Sequence, residues 1–223
     1  QSLHVLIQQI SKIPGLYWIR VLYTNPKHFY PELIKTISDT PQVCKYVDLP
    51  IQHTEENILN LMNRGTRKQI FDTIEKLRKN VPNITLRTTV IVGFPTETEK
   101  QFKTLLTDIE NLKFDWLGCF EYSKQAGTKA INFKNHIPKK IKSLRYNQVM
   151  QTQQKITFEK NKSHIGKVYP VLLDSQNFGH TEFQSPEIDG KVILKNSANS
   201  IGEIIDSKII SILKIYDLVG EMK

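Results

Sequence analysis

The side chains able to do chemistry are few and scattered. Cys44 and Cys119 are the only two thiols. Two isolated cysteines cannot build a disulfide framework, a zinc site or an iron–sulfur cage. They are expected to be reduced, mostly buried thiols of a cytosolic protein. Six histidines are present, with no pairing at metal-ligand spacing, so no metal ligand is expected in the chain. A phosphate loop, a glycine-rich dinucleotide fingerprint and a nucleophile elbow are all missing, and no catalytic side chain stands out. Gly166, Gly179 and Gly190 read as turn glycines by spacing. What remains is a set of polar and turn-forming residues that follow apolar runs: Thr24-Asn25-Pro26, Gln52-His53, Gly93-Phe94-Pro95 and Ser123. Taken alone, His53 reads as a hydrogen-bonded structural residue before a ligand or base.

The elements that would position these residues alternate. Tyr17–Tyr23, Lys45–Ile51, Ile84–Val92 and Phe114–Tyr122 have the β-branched and aromatic content of strands, and Ile84–Val92 ends in an apolar run suited to burial on both faces. Helical patterns lie around them. Leu3–Ile10 and Pro31–Ser38 are short. Ile70, Phe71, Ile74 and Leu77 follow a capping box at Thr66 and Gln69, and Phe102, Leu105, Leu106, Ile109 and Leu112 follow one predicted at Thr96 and Glu99. Strand and helix in alternation imply an α/β fold with a parallel sheet, either a section of a (β/α) barrel or a doubly wound sheet. In both, chemistry gathers where strands end, which is where the polar tripeptides fall. The alternative is that they are only good turn and cap residues.

The character changes after about residue 141. Leu144–Lys162 is long, polar and weakly periodic, as in a connecting helix. Beyond Gly166 come short β-like segments, Lys167–Leu173, Thr181–Phe183, Lys191–Leu194 and Ser207–Tyr216, with turns expected at Phe178-Gly179 and Asp189-Gly190. Their spacing fits a small all-β barrel. The expected organisation is therefore an α/β domain over 1–140, a connecting helix over 141–163 and a β-barrel over 164–223. Of the 223 residues, 31 are Lys or Arg and 22 are Asp or Glu, for a net charge of +9. The stretch 123–162 holds ten basic residues and one acid, Glu159, and so carries the whole excess, whereas 163–223 holds six lysines and eight acids. Two readings stay open for the basic stretch: a contact with a polyanion such as ribosomal RNA, or a solvated helix with no partner. The longest apolar run, Ile209–Ile215, is broken by Ser211 and Lys214 and is too short for a bilayer, and no apolar leader opens the sequence as it stands.

Longer blocks carry a resemblance. Cys44-Lys45-Tyr46-Val47-Asp48-Leu49-Pro50-Ile51-Gln52-His53, Ile58-Leu59-Asn60-Leu61-Met62-Asn63-Arg64, Leu86-Arg87-Thr88-Thr89-Val90-Ile91-Val92-Gly93-Phe94-Pro95-Thr96-Glu97-Thr98, Phe120-Glu121-Tyr122-Ser123 with Gly127-Thr128, and Ser185-Pro186-Glu187-Ile188-Asp189-Gly190 occur in that order. Together they resemble the radical S-adenosylmethionine methylthiotransferases, in the branch that modifies a ribosomal protein. The sister branch, which methylthiolates adenosine in transfer RNA, usually has serine where His53 stands and lacks the Pro-Glu-Ile-Asp-Gly block. It remains an alternative, as does a non-catalytic ribosome- or RNA-binding module.

The resemblance implies a partial (β/α) radical S-adenosylmethionine barrel followed by a TRAM-like barrel. It implies S-adenosylmethionine as cofactor, with Gln52 on its ribose or amino-acid end and the backbone near Val92, Gly93, Phe120 and Tyr122 flanking the adenine. Arg87 and His53 are expected at the protein substrate, Arg87 pairing with the substrate aspartate or, instead, with an inward carboxylate of the chain itself. The family reaction replaces a C–H on an aspartate β-carbon of a small-subunit ribosomal protein with a methylthio group, in the cytoplasm and with no membrane partner. Members hold two [4Fe-4S] clusters through cysteines that precede the matched region. None is present here, so the chain by itself is expected to be a C-terminal portion, inactive alone. Thr96 stands where the family commonly has glycine.

Overall fold

The computed structural model describes residues 2–195 and 200–223. Helix α1 (Leu3–Ile10) precedes strand β1 (Ile19–Val21). Then follow α2 (Pro31–Asp39), β2 (Val43–Asp48), α3 (Glu56–Leu61), α4 (Arg67–Asn80), β3 (Thr85–Val92), α5 (Glu99–Leu112) and β4 (Trp116–Glu121). The four strands form one parallel sheet in sequence order, open at β1 and β4, so the α/β part is a section of a barrel rather than a closed one. Period-two burial in β3 shows the reason for the two faces. Leu86, Thr88, Val90 and Val92 are buried beneath the helices, while Arg87, Thr89 and Ile91 turn to the other side. The helix side is one core, in which Val47, Leu86 and Val90 meet Ile37 of α2, Ile74 of α4 and Phe102 and Ile109 of α5.

Thr66 and Gln69 close the expected capping box on α4. On α5 the box is shifted by two residues from the predicted pair: Thr98 and Gln101 form it, not Thr96 and Glu99. Both pairs satisfy the spacing. An N-cap needs an extended backbone, which Thr98 has, whereas Thr96 lies at a left-handed φ of 74° that turns the chain after Pro95.

Helix α6 (Lys139–Lys162) starts one turn earlier than its pattern suggests. Every fourth residue faces inward, namely Arg145, Val149, Gln153, Thr157 and Asn161, and four of these five are polar. Gln153 donates to the Phe114 carbonyl at 2.8 Å, Thr157 to Asp115 at 2.9 Å and Asn161 to Ile215 at 2.9 Å. The helix is held by hydrogen bonds to loop carbonyls, so its inward face leaves little apolar periodicity to detect.

Strands β5 (Val168–Ser175), β6 (Phe178–His180), β7 (Val192–Leu194), β8 (Ile204–Leu213) and β9 (Asp217–Met222) form a closed barrel in the order β5-β6-β7-β9-β8. Val171, Leu173, Val192, Leu194, Ile209 and Leu218 fill it. Two local expectations are corrected. Phe178-Gly179 is strand, not turn, and the predicted strand Thr181–Phe183 is a turn. Gly179 and Gly190 are required by close backbone approach, since a Cβ would collide with the carbonyls of Leu172 and Tyr216 respectively. Of the three glycines, only Gly166 has a positive φ, of 86°.

Candidate functional site

The C-terminal ends of β2, β3 and β4 converge on a cleft of about 790 Å³. That volume suits a small-molecule ligand. Gln52 forms part of its floor in an unusual conformation, with φ at 68°. Its N–H donates to Thr89 at 2.8 Å and its carbonyl accepts from the Ile91 N–H at 2.8 Å, so β3 holds it there. A left-handed non-glycine residue costs about 1–2 kcal/mol and persists only where its surroundings enforce it. Ile91, Phe94, Phe120 and Tyr122 add an apolar and aromatic wall, Asn63 and Arg64 a polar one, and Ser123, Gln125, Thr128 and Lys129 the rim. Phe120 is 60% exposed, a large ring presented to the cleft. The arrangement suits a flat aromatic group carrying a polar tail, the chemistry of a nucleoside.

Of the residues expected at a cofactor, Gln52, Phe120 and Tyr122 line the cleft, and Val92 and Gly93 do not. Val92 is fully buried in the core and reaches this region only through its carbonyl, which accepts from the Tyr122 N–H at 2.9 Å. Gly93, at φ 71°, turns the chain out of β3.

His53 is not at the cleft surface. It is fully buried, its Nδ1 accepting from the Glu55 N–H at 2.9 Å and its Nε2 facing Glu97 Oε1 at 3.2 Å. The proton therefore sits on Nε2 and is donated to Glu97. Glu97 also accepts from the Gly93 N–H and from Arg145 at 2.8 Å, and is itself 2% exposed. Sequence reasoning did not single out Glu97. Its signal was position alone: an acid four residues beyond the glycine that ends a buried strand. His53 is expected at a substrate by the resemblance; in the structure both of its ring nitrogens are engaged inside the protein.

Arg87 lies on the inner face of the sheet, and the loop 181–190 of the barrel domain covers that face. Arg20 donates to the carbonyls of Thr181 and Glu182 at 3.0 and 3.2 Å, Trp116 to Phe183 at 2.8 Å, and Tyr46 to Asp189 at 2.7 Å. Arg87 pairs with Asp48 at 3.0 Å and with Asp189 at 3.4 Å. Burial opposes its charge, but Asp189 and Asp48 outweigh it and raise its pKa. Burial also raises the Asp189 carboxyl above its usual range, against the pull of Ser185, Tyr46 and Arg87. Of the two expectations for Arg87, the structure shows the inward-carboxylate pair.

Neither thiol fits an iron–sulfur cluster. Burial pushes Cys44 up to about 11 and Cys119 up to about 12, which disfavours the thiolate that a cluster needs. Among the described residues no three His, Cys, Asp or Glu side chains gather as a metal site.

Comparison with known proteins matches both parts of the chain. Residues 5–109 match the Radical SAM superfamily and residues 165–222 match the TRAM domain. The solved structure of coproporphyrinogen III oxidase (HemN) from Escherichia coli, a radical SAM enzyme, shares the fold at a TM-score of 0.56 and 16% identity, over 70% of this chain and 37% of that one. The fold is thus a radical SAM domain followed by a TRAM domain. Over 99% of its length the chain is 40% identical to the ribosomal protein uS12 methylthiotransferase RimO of Natranaerobius thermophilus, and over 89% it is 45% identical to that of Thermodesulfovibrio yellowstonii. Over nearly its whole length the chain is thus similar to radical SAM methylthiotransferases. The chain spans about half the length of these curated relatives, 51% and 48%.

Proposed function

We propose that the chain is the C-terminal part of a methylthiotransferase that acts on an aspartate β-carbon in a small-subunit ribosomal protein, and that its cleft takes the nucleoside end of S-adenosylmethionine. The observation that carries this reading is the coincidence of the cleft with the strand ends shared with the methylthiotransferases. Gln52, held rigidly by β3, offers its amide to the ribose or amino-acid end. Phe120 offers a face to the adenine, and the Phe120–Tyr122 backbone offers polar edges. S-adenosylmethionine, when bound beside a reduced [4Fe-4S] cluster, supplies the radical and methyl chemistry. The family's two clusters need thiolates from outside this chain, since Cys44 and Cys119 are buried in its cores.

The barrel domain's loop closes the inner face of the sheet from one end, so a substrate side chain approaches from the cleft end. Lys129 stands exposed at the rim, and Lys124, Lys134, Lys139 and Lys140, close to it in sequence, are exposed too, with no salt bridge among the described residues. Unneutralised cations near the cleft mouth favour a contact with ribosomal RNA phosphates while the protein substrate is presented. The cytoplasm is the setting in which such a substrate is met. Among the described residues no helix is long and apolar enough to cross a membrane.

The test joins the chain to the half that its relatives carry, reconstitutes the clusters, and offers the small-subunit ribosomal protein and transfer RNA in parallel. Mass spectrometry should find a methylthio increment on one aspartate of the protein. The increment on a transfer RNA adenosine instead would overturn the reading.

A further inference from the structure

Three side chains from the first two turns of α6 converge on the strand ends that frame the cleft. Lys142 Nζ donates to the Tyr122 carbonyl at 2.7 Å and lies 5.3 Å from the centre of the Tyr122 ring. Ser143 donates to Glu121 at 2.8 Å. Arg145 donates to Glu97, the carboxylate that also takes the Gly93 N–H. The aliphatic stem of Lys142 packs so closely on Gly93 that a Cβ there would collide with it. One short stretch of helix therefore fixes the exit of β3 and the exit of β4 relative to each other. None of the three residues lines the cleft.

The geometry points to Lys142 as a positioning residue for the cofactor cleft, acting through the Tyr122 carbonyl and the Gly93 turn. This rests on the nucleoside reading of the cleft given above. The physical case is one of order. The ends of two parallel strands beyond their last ladder bond have few restraints of their own, and a ligand that must bridge them binds more weakly when they are free to separate. A half-buried lysine stem with a charge-assisted bond to a carbonyl supplies that restraint. The same helix is anchored at its far end to Phe114, Asp115 and Ile215, so its first turn cannot swing away without breaking those bonds.

The test uses this chain joined to the half that its relatives carry, with S-adenosylhomocysteine as probe, read by calorimetry, together with the ¹⁵N amide resonance of Ser123, whose nitrogen is bonded to the Tyr122 carbonyl. Lys142→Met keeps the stem and removes the donor. It should shift the Ser123 resonance and weaken binding about fivefold, the loss of one hydrogen bond's worth. Lys142→Arg should restore both. Thermal melting of the variants monitors the fold. An unmoved Ser123 resonance, or wild-type affinity in Lys142→Met, would overturn the positioning role alone. If the unaltered chain takes no S-adenosylhomocysteine while Ser123 still moves in the variant, the nucleoside reading of the cleft falls and the positioning role falls with it.

Discussion

His164, at the junction of α6 and the barrel, shows how a single ring ties local chemistry to stability. It stacks face to face on Phe183 at 4.3 Å, and its Nδ1 lies 2.7 Å from the Tyr169 hydroxyl. Burial lowers its pKa to about 4, and the Lys167 and Lys160 charges push the same way against Asp115. The folded state therefore binds a proton less readily than the unfolded chain. Between pH 6.5 and about 4 the unfolded chain holds more protons, so stability falls as the pH is lowered through that window. Replacing His164 by Phe, which keeps the stacking, should flatten this part of the profile; denaturant midpoints at pH 7 and pH 4.5 measure it, and an unchanged slope would sink the assignment. Residue type made some of the site legible and concealed the rest. Gln52 could be seen as a polar residue at a strand end, whereas its cofactor role and Phe120 came from the resemblance to a known family. Glu97 was not, because an acid in a turn is ordinarily solvated, and only the arrival of Arg145 from a helix 48 residues later makes it a buried hub.

At the level of elements, the stretch 93–101 sets α5 and the cleft edge together. Thr96 pairs its N–H with the Asn135 carbonyl at 3.1 Å while sitting at a left-handed φ, and Thr98 caps the helix. Thr98→Ala should cost about 1 kcal/mol through the lost cap, whereas Thr96→Gly should stabilise by roughly 1 kcal/mol by removing the Cβ penalty. Urea midpoints of the two variants should move in opposite directions, and a destabilised Thr96→Gly would show that its side chain matters more than its backbone. The departure from the family's usual glycine thereby acquires a physical content. The four parallel strands could be read because apolar runs and capping signals agree with one another. Helix α6 was shortened in prediction because its inward stripe is Arg, Gln, Thr and Asn, and hydropathy does not register a polar stripe. In the small barrel, β9 went unseen and β6 was displaced. Strand β6 has only three residues, with Gly179 held by a close backbone contact, so it carries too few side chains for a period to emerge, and β9 includes Gly220, which fills no position in an apolar pattern.

On the scale of the whole molecule, two features of the sheet pull in opposite directions. Its inner face near the strand starts is sealed by the barrel loop, through Tyr46, Arg87 and Trp116, so little apolar surface is left open there. At β1 the sheet ends with a free edge, since β1 pairs with β2 only. Beside it Leu3 and Leu6 of α1 are 40% and 44% exposed, and Tyr23, just past β1, is 79% exposed. A free strand edge flanked by apolar side chains is a template for pairing with another chain. The net charge of +9 opposes association in general, and 1–30 itself carries Lys12, Arg20 and Lys27 with no acid, but the densest excess sits in 123–162, away from this edge in sequence. At high protein concentration and physiological salt the chain should therefore self-associate through β1. Replacing Leu6 and Tyr23 together by Lys adds charge to both sides of the edge without touching the core on the helix side of the sheet. Sedimentation velocity should show the association reduced in that double variant and unaffected by Lys substitution of the exposed Ile165, far along the chain near the barrel. Equal association of both variants would place the sticky surface elsewhere and leave the β1 edge inert.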